Sequence, residues 1–229
     1  IGAIKSASRN TVLNQDPVSQ GTAARAGVSS TIYTGNGGTQ AVSTGIDMAT
    51  GDFGGLVWVK IRSAVGNNYL FDTIRGVGNR LASDGTFSES FGATTLTSFD
   101  STGYSTGASG GTNLNLATYA AWSWQTTEKT TGLTNRNKAY TTHYNADLGF
   151  SITGYEGDGV DGHEIPHYLG KEPELVIWKN RDLVIGWPVI SSLFDTEEYL
   201  VLDTTAAVAT SSTYKTIFSN ETISYMEES

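Results

Sequence analysis

The chain has 229 residues, enough for one large or two small domains with a substantial core. A formal net charge of −9, with Lys and Arg scattered singly, argues against a nucleic-acid surface and against binding to anionic lipid. There is no cysteine, so disulfides and thiolate metal sites are excluded, and no apolar run approaches the ~20 residues of a membrane helix. Charged residues make up only 16%, so Ser, Thr, Asn and 27 Gly must supply most of the polar surface. With four Pro and many short apolar runs, this predicts an all-β protein rich in turns.

Residues 1–27 are small and polar without sustained periodicity, which reads as an extended N-terminal arm. A first unit, 28–125, opens with the weak alternation Val28 to Tyr33 and the turn Gly35-Asn36-Gly37-Gly38. Its central strand is Leu56-Val57-Trp58-Val59-Lys60-Ile61-Arg62, called a strand for its β-branched and aromatic content. Tyr69 to Arg75, Leu96 to Phe99 and Tyr119 to Trp124 follow as strands between turn signals, a spacing that indicates a sandwich or barrel. The tract 126–149 is polar and reads as a linker.

A second unit, 150–229, repeats the first. Leu175-Val176-Ile177-Trp178-Lys179-Asn180-Arg181 matches the central strand at an offset of 179 − 60 = 119 residues. The Tyr-x-Gly-Asn/Asp-Gly turns at Tyr33 and Tyr155 are offset by 155 − 33 = 122. Two landmarks that agree within three residues indicate an internal repeat. Nothing after Thr222 to Tyr225 corresponds to Tyr119–Trp124, so the second unit is expected to lack its closing strand. A bare sheet edge invites pairing, and the arm, a neighbouring subunit or further residues are expected to cover it.

The runs Gly-Leu-Val-Trp-Val-Lys-x-Arg, Tyr-Leu-Phe-Asp-Thr-Ile-Arg-Gly and Tyr-Ala-Ala-Trp-Ser-Trp, with Glu-Leu-Val-Ile-Trp-Lys-Asn-Arg and Tyr-Leu-Val-Leu-Asp-Thr-Thr-Ala-Ala in the second half, carry a resemblance. Over residues 28–225 the chain resembles a repeated module of tailed-phage virion proteins, notably of marine and cyanobacterial phages. The resemblance implies an antiparallel β-sandwich of concanavalin A/laminin-G-like, jelly-roll type. It also implies a non-enzymatic, homo-oligomeric component on the outside of the virion, held among other virion proteins. Tail fibre or tail tip with binding of host-surface polysaccharide is the first expectation, and head decoration the second. A jelly-roll glycoside hydrolase is the third.

Candidate chemistry is sparse. Trp122 and Trp124 lie two apart and so share one face of a strand, where they could form a platform for sugar rings. Core packing is the favoured alternative, as it is for Trp58 and Trp178. Trp187, followed by Pro188 in a turn region, is the aromatic expected to be exposed. Glu156, Asp158 and Asp161 form the densest carboxylate cluster, with the oxygen ligands Ca²⁺ takes; the alternative, a solvated glycine-rich turn, is favoured because the first copy has no acids there. As a hydrolase pair the same residues fit poorly, since the intervening glycines suggest a loop. His163-Glu164-x-x-His167 holds Pro166, which breaks the helix a zinc motif needs. Lys60/Arg62 and Lys179/Arg181 recur and are read as structural, pairing with Asp72 or Asp195 at strand ends.

Overall fold

A computed structural model describes residues 27–225. Residues 1–26 of the expected arm and the last four residues lie outside that range. The chain is all-β, with one four-residue helix and one 3-10 turn among the described residues. The strands of the first half are β1 (Val28–Thr34), β2 (Gln40–Ser43), β3 (Gly54–Ile61), β4 (Asn68–Asp72), β5 (Asn79–Ala82), β6 (Ser90–Phe91), β7 (Leu96–Asp100) and β8 (Gly103–Thr106). Helix α1 (Gly110–Asn113) then leads into β9 (Thr118–Thr126).

These strands form two antiparallel sheets, ordered β1-β9-β3-β4-β5-β6 and β2-β8-β7. Alternation decides which side chains enter the core. Val57, Val59 and Ile61 of β3 and Tyr119 and Ala121 of β9 point inward. They join Phe71, and they meet Val42, Leu96 and Tyr104 of the smaller sheet in one buried cluster with Ile46 and Met48. β3 and β9 approach so closely that a Cβ at Gly55 would meet the Trp124 carbonyl. The turn after β1 is fastened by buried Asn113, whose amide donates to Asn36 Oδ1 and to the carbonyls of Gly38 and Gly107.

The tract expected to be a linker is folded. β10 (Glu128–Leu133) and β11 (Ala139–Asn145) pair as a hairpin, and β12 (Phe150–Tyr155) adds a third strand. Its composition misled because Thr is as much a strand residue as a loop residue: Thr142 and Thr153 bond across the sheet at 2.9 Å.

The remaining strands are β13 (His163–Pro166), β14 (Leu175–Ile177), β15 (Pro188–Ser191), β16 (Glu198–Val201), β17 (Ala209–Thr210), β18 (Thr216–Phe218) and β19 (Thr222–Tyr225). They form two antiparallel sheets, ordered β14-β15-β16-β17 and β13-β19-β18. The first order runs parallel in sequence to β3-β4-β5-β6, and the second to β2-β8-β7. No described strand lies beside β14 where β9 lies beside β3.

The halves are joined through the segment after β5. Trp187 Nε1 lies 3.1 Å from both the Ala82 and Gly85 carbonyls, and Arg181 pairs with Glu89 at 2.8 Å. Trp187 is only 4% exposed, so the expectation of an exposed aromatic there is corrected: its ring is the plug between the halves. The repeated lysines cap turns rather than pair with acids. Lys60 donates to the Gly66 carbonyl and Lys179 to those of Leu183, Ile185 and Thr86. Asp72 instead binds Arg75.

Candidate functional site

The site is built by the parity of β3 and β9. With Val57, Val59 and Ile61 inward, Trp58 and Lys60 must project from the opposite face; with Tyr119, Ala121 and Ser123 inward, so must Trp122 and Trp124. The register places Trp58 directly opposite Trp122, and Leu56 opposite Trp124. Three indoles therefore stand together on the outer face of the six-stranded sheet. This corrects the core reading of Trp58, Trp122 and Trp124. The fourth tryptophan read as core, Trp178, lies just past β14 and is only partly buried.

The rings of Trp58 and Trp122 meet edge to face, with centroids 6.3 Å apart and planes at 66°. Trp124 is stacked on Phe150 at 5.9 Å, which fixes its plane and leaves Trp122, 38% exposed, as the open aromatic surface. A cavity of about 440 Å³ is lined by Trp58, Lys60, Asn68, Trp122 and Trp124. Lys60 is tethered to the Gly66 carbonyl at 2.5 Å, so its ammonium sits at the rim in a fixed place. Asn68 Oδ1 is buried with no hydrogen-bond partner, an acceptor still lacking a donor.

A second hollow of about 600 Å³ shares Trp58 and Asn68 with the first. Its other walls are Ser83 and Asp84 from the first half and Leu202, Asp203, Thr204 and Thr205 from the second. Asp84 accepts the Asn68 backbone N–H and Asp203 accepts that of Trp187, so both carboxylates are held in place. The pair of hollows thus combines flat apolar faces with a ring of hydroxyls, an amide and carboxylates. Such a surface suits a ligand with an apolar face and a hydroxylated edge.

The model of Domain of unknown function (DUF7483) matches residues 26–227. The chain belongs to this family. No curated protein and no solved structure matches it.

The other sequence candidates are not brought together. Glu156 pairs with Lys138 at 2.9 Å, Asp158 Oδ1 lies 3.6 Å from His163 Nδ1, and the Asp161 carbonyl accepts from Arg136. Among the described residues no group of three or more His, Cys, Asp or Glu could hold a metal, so the Ca²⁺ reading of Glu156, Asp158 and Asp161 is corrected to a turn. His163 and His167 lie on and just past a strand, each with its own partner. His163 Nε2 is 2.7 Å from Thr134 Oγ1, and His167 Nε2 donates to the Ser219 carbonyl at 3.1 Å. No helix of the described residues is long and apolar enough to cross a membrane.

Sequence reasoning missed Trp58, Lys60, Asn68 and the 202–205 wall. The signal for the first two was present. Lys60 shares parity with Trp58, and a lysine on a central strand faces water, so the indole beside it does too. The 202–205 wall had no sequence signal, because only the docking of the second half brings it to β4.

Proposed function

We propose that this chain is a non-enzymatic structural and adhesive component of a bacteriophage virion, of tail-fibre or tail-tip type, that holds host-surface polysaccharide on its tryptophan face. In this reading its fold is a pair of related concanavalin A-like, jelly-roll sandwiches. The chain works on the outside of the particle as a homo-oligomer among other virion proteins.

The observation that carries the binding reading is the outward grouping of Trp58, Trp122 and Trp124 beside Asn68 and Lys60. Indoles left on a surface cost apolar exposure, and three together on one sheet face mark a recognition patch. A sugar ring offers C–H groups to an indole and hydroxyls to an amide. Lys60 is the sole ionisable group of the aromatic hollow, and the carboxylates of the neighbouring hollow, Asp84 and Asp203, each accept a backbone N–H.

The test is a glycan array probed with the protein and with Trp122→Ala. Binding to a defined set of polysaccharides is expected, weakened about tenfold by the substitution, the size of one lost aromatic contact of ~1.4 kcal/mol. Equal signals from both proteins would sink the assignment of the site. Among the described residues no strand lies along the outer edge of β14, which favours a second reading, head decoration, in which neighbouring proteins cover that edge. Copies spread over the capsid lattice in a cryo-EM map of the virion would establish it.

A further inference from the structure

The aromatic hollow and the polar hollow share Trp58 and Asn68, so they are the two ends of one groove. The groove crosses the sheet instead of following a strand. Trp122 of β9 stands opposite Trp58 of β3, Lys60 of β3 opposite Asn68 of β4, and Ser83, just past β5, donates its N–H to the Asn68 carbonyl. Three strand spacings of about 4.8 Å give a run of ~14 Å, longer than one sugar ring.

The two ends differ in charge. Lys60 is the ionisable group of the aromatic end, and Asp84 and Asp203 are those of the polar end. One repeated bond places both carboxylates. Asp84 Oδ1 accepts the Asn68 N–H at 2.9 Å, and Asp203 Oδ1 accepts the Trp187 N–H at 3.0 Å. Acceptor and donor recur at the same offset, 203 − 84 = 119 and 187 − 68 = 119 residues. That turn accounts for Oδ1 of each. Among the described residues neither Oδ2 has a hydrogen-bond or ion-pair partner. Trp187, seated against the Ala82 and Gly85 carbonyls, brings the second turn up to the first, so both carboxylates border one hollow. Lys179, the cation whose field reaches Asp203, is held by the carbonyls of Thr86, Leu183 and Ile185 and does not line the hollow.

An ionised carboxylate only accepts hydrogen bonds. A sugar hydroxyl or ammonium can donate to it, whereas a uronate or sulfate ester meets it with like charge and nothing to donate. We propose that the groove holds successive units of one polysaccharide, and that Asp84 and Asp203 set its specificity by admitting to the polar end only a sugar without an acid group. The proposal rests on the reading of the tryptophan face as a glycan site. It adds the class of sugar and a second subsite, to which the second half of the chain contributes Asp203, Thr204 and Thr205.

The test is an array carrying dextran, laminarin and chitosan oligosaccharides beside alginate and polygalacturonate, whose residues all bear a carboxylate. It is probed with the intact chain, with the double variant Asp84→Asn/Asp203→Asn, and with Trp122→Ala. The asparagines keep an Oδ1 acceptor for the two backbone N–H groups and remove only the charge. The parent chain is expected to bind among the acid-free glycans. The double variant is expected to raise the acidic-to-neutral signal ratio about tenfold, a factor of a few from each charge close to a ligand carboxylate in a wet groove. Salt at 1 M, which screens charges beyond ~3 Å, is expected to raise the ratio for the parent as well, and this arm needs no variant to fold. If no glycan binds, or Trp122→Ala binds as the parent does, the reading of the tryptophan face falls and the proposal with it. If Trp122→Ala weakens binding but the parent takes polygalacturonate or alginate as well as dextran, that reading stands and the proposal alone is overturned. An exclusion of acidic glycans that 1 M salt leaves intact is one of shape, and it too overturns the proposal alone.

Discussion

At the scale of single residues, the least replaceable polar group is Arg75. Its guanidinium lies 2.5 Å from Asp72 Oδ2, donates to the Leu70 carbonyl at 2.9 Å, and reaches Glu89 at 3.4 Å. Both side chains of the Arg75–Asp72 pair are under a tenth exposed. A buried pair contributes little net stability as a pair, but removing one member strands the other charge. Arg75→Ala is expected to lower stability by about 3–5 kcal/mol, read as a shift of the urea midpoint with unchanged slope. A loss below ~1 kcal/mol would mean that water screens the site. The tryptophans show how much of the site could be read from the sequence. That Trp122 and Trp124 share a face followed from period two alone. Which face they occupy did not, because Leu-Val-Trp-Val is apolar at both parities and only Lys60 breaks the tie.

At the scale of elements, the strands were legible where apolar residues cluster and obscure where threonine carries them. β3, β4, β7 and β9 coincide with runs expected as strands, whereas β10 and β11 sit in a tract whose polarity suggested a linker. The hairpin holds His143 against Thr73, Nδ1 to Oγ1 at 2.8 Å, and β13 runs out into His167. Burial lowers the pKa of both histidines below the ordinary value. His167 also accepts the Leu169 N–H on Nδ1 while donating from Nε2, so a second proton would cost a bond. The fold thus resists protons that the unfolded chain takes up at its pKa of about 6.5. Stability from the neutral forms is complete above that value and is lost as pH falls through it toward the lowered folded pKa. Melting temperature is expected to drop between pH 7.5 and 5.5, and His167→Gln should flatten the drop. A variant curve parallel to that of the parent chain would assign the acid sensitivity elsewhere.

At the scale of the whole molecule, the halves hold different cores. The first has a continuous cluster of twelve buried residues, whereas in the second the buried apolar side chains are few, Ile165, Val189, Ile190 and Ile223 among them, joined by Trp187. Such a second core is thin for independent stability, so the second half depends on its contact with the first. That contact centres on Trp187, whose indole fills the space under the 82–85 backbone and donates to it, with Glu89 and Arg181 beside it at 2.8 Å. The ion pair is half exposed on the Arg181 side and is worth ~1 kcal/mol at most, so the indole carries the coupling. Truncating a buried Trp costs about 3–5 kcal/mol, and here that cost falls on the joint between the halves. The parent chain is expected to unfold in one calorimetric transition. Trp187→Ala should split it, with the second half melting first and the first half retaining its original midpoint. It should also weaken glycan binding less than Trp122→Ala does, because the aromatic hollow is built by β3 and β9 while only the polar hollow borrows residues 202–205. A single transition at an unchanged temperature would show that the halves are coupled through other contacts and that Trp187 is a passenger in the joint.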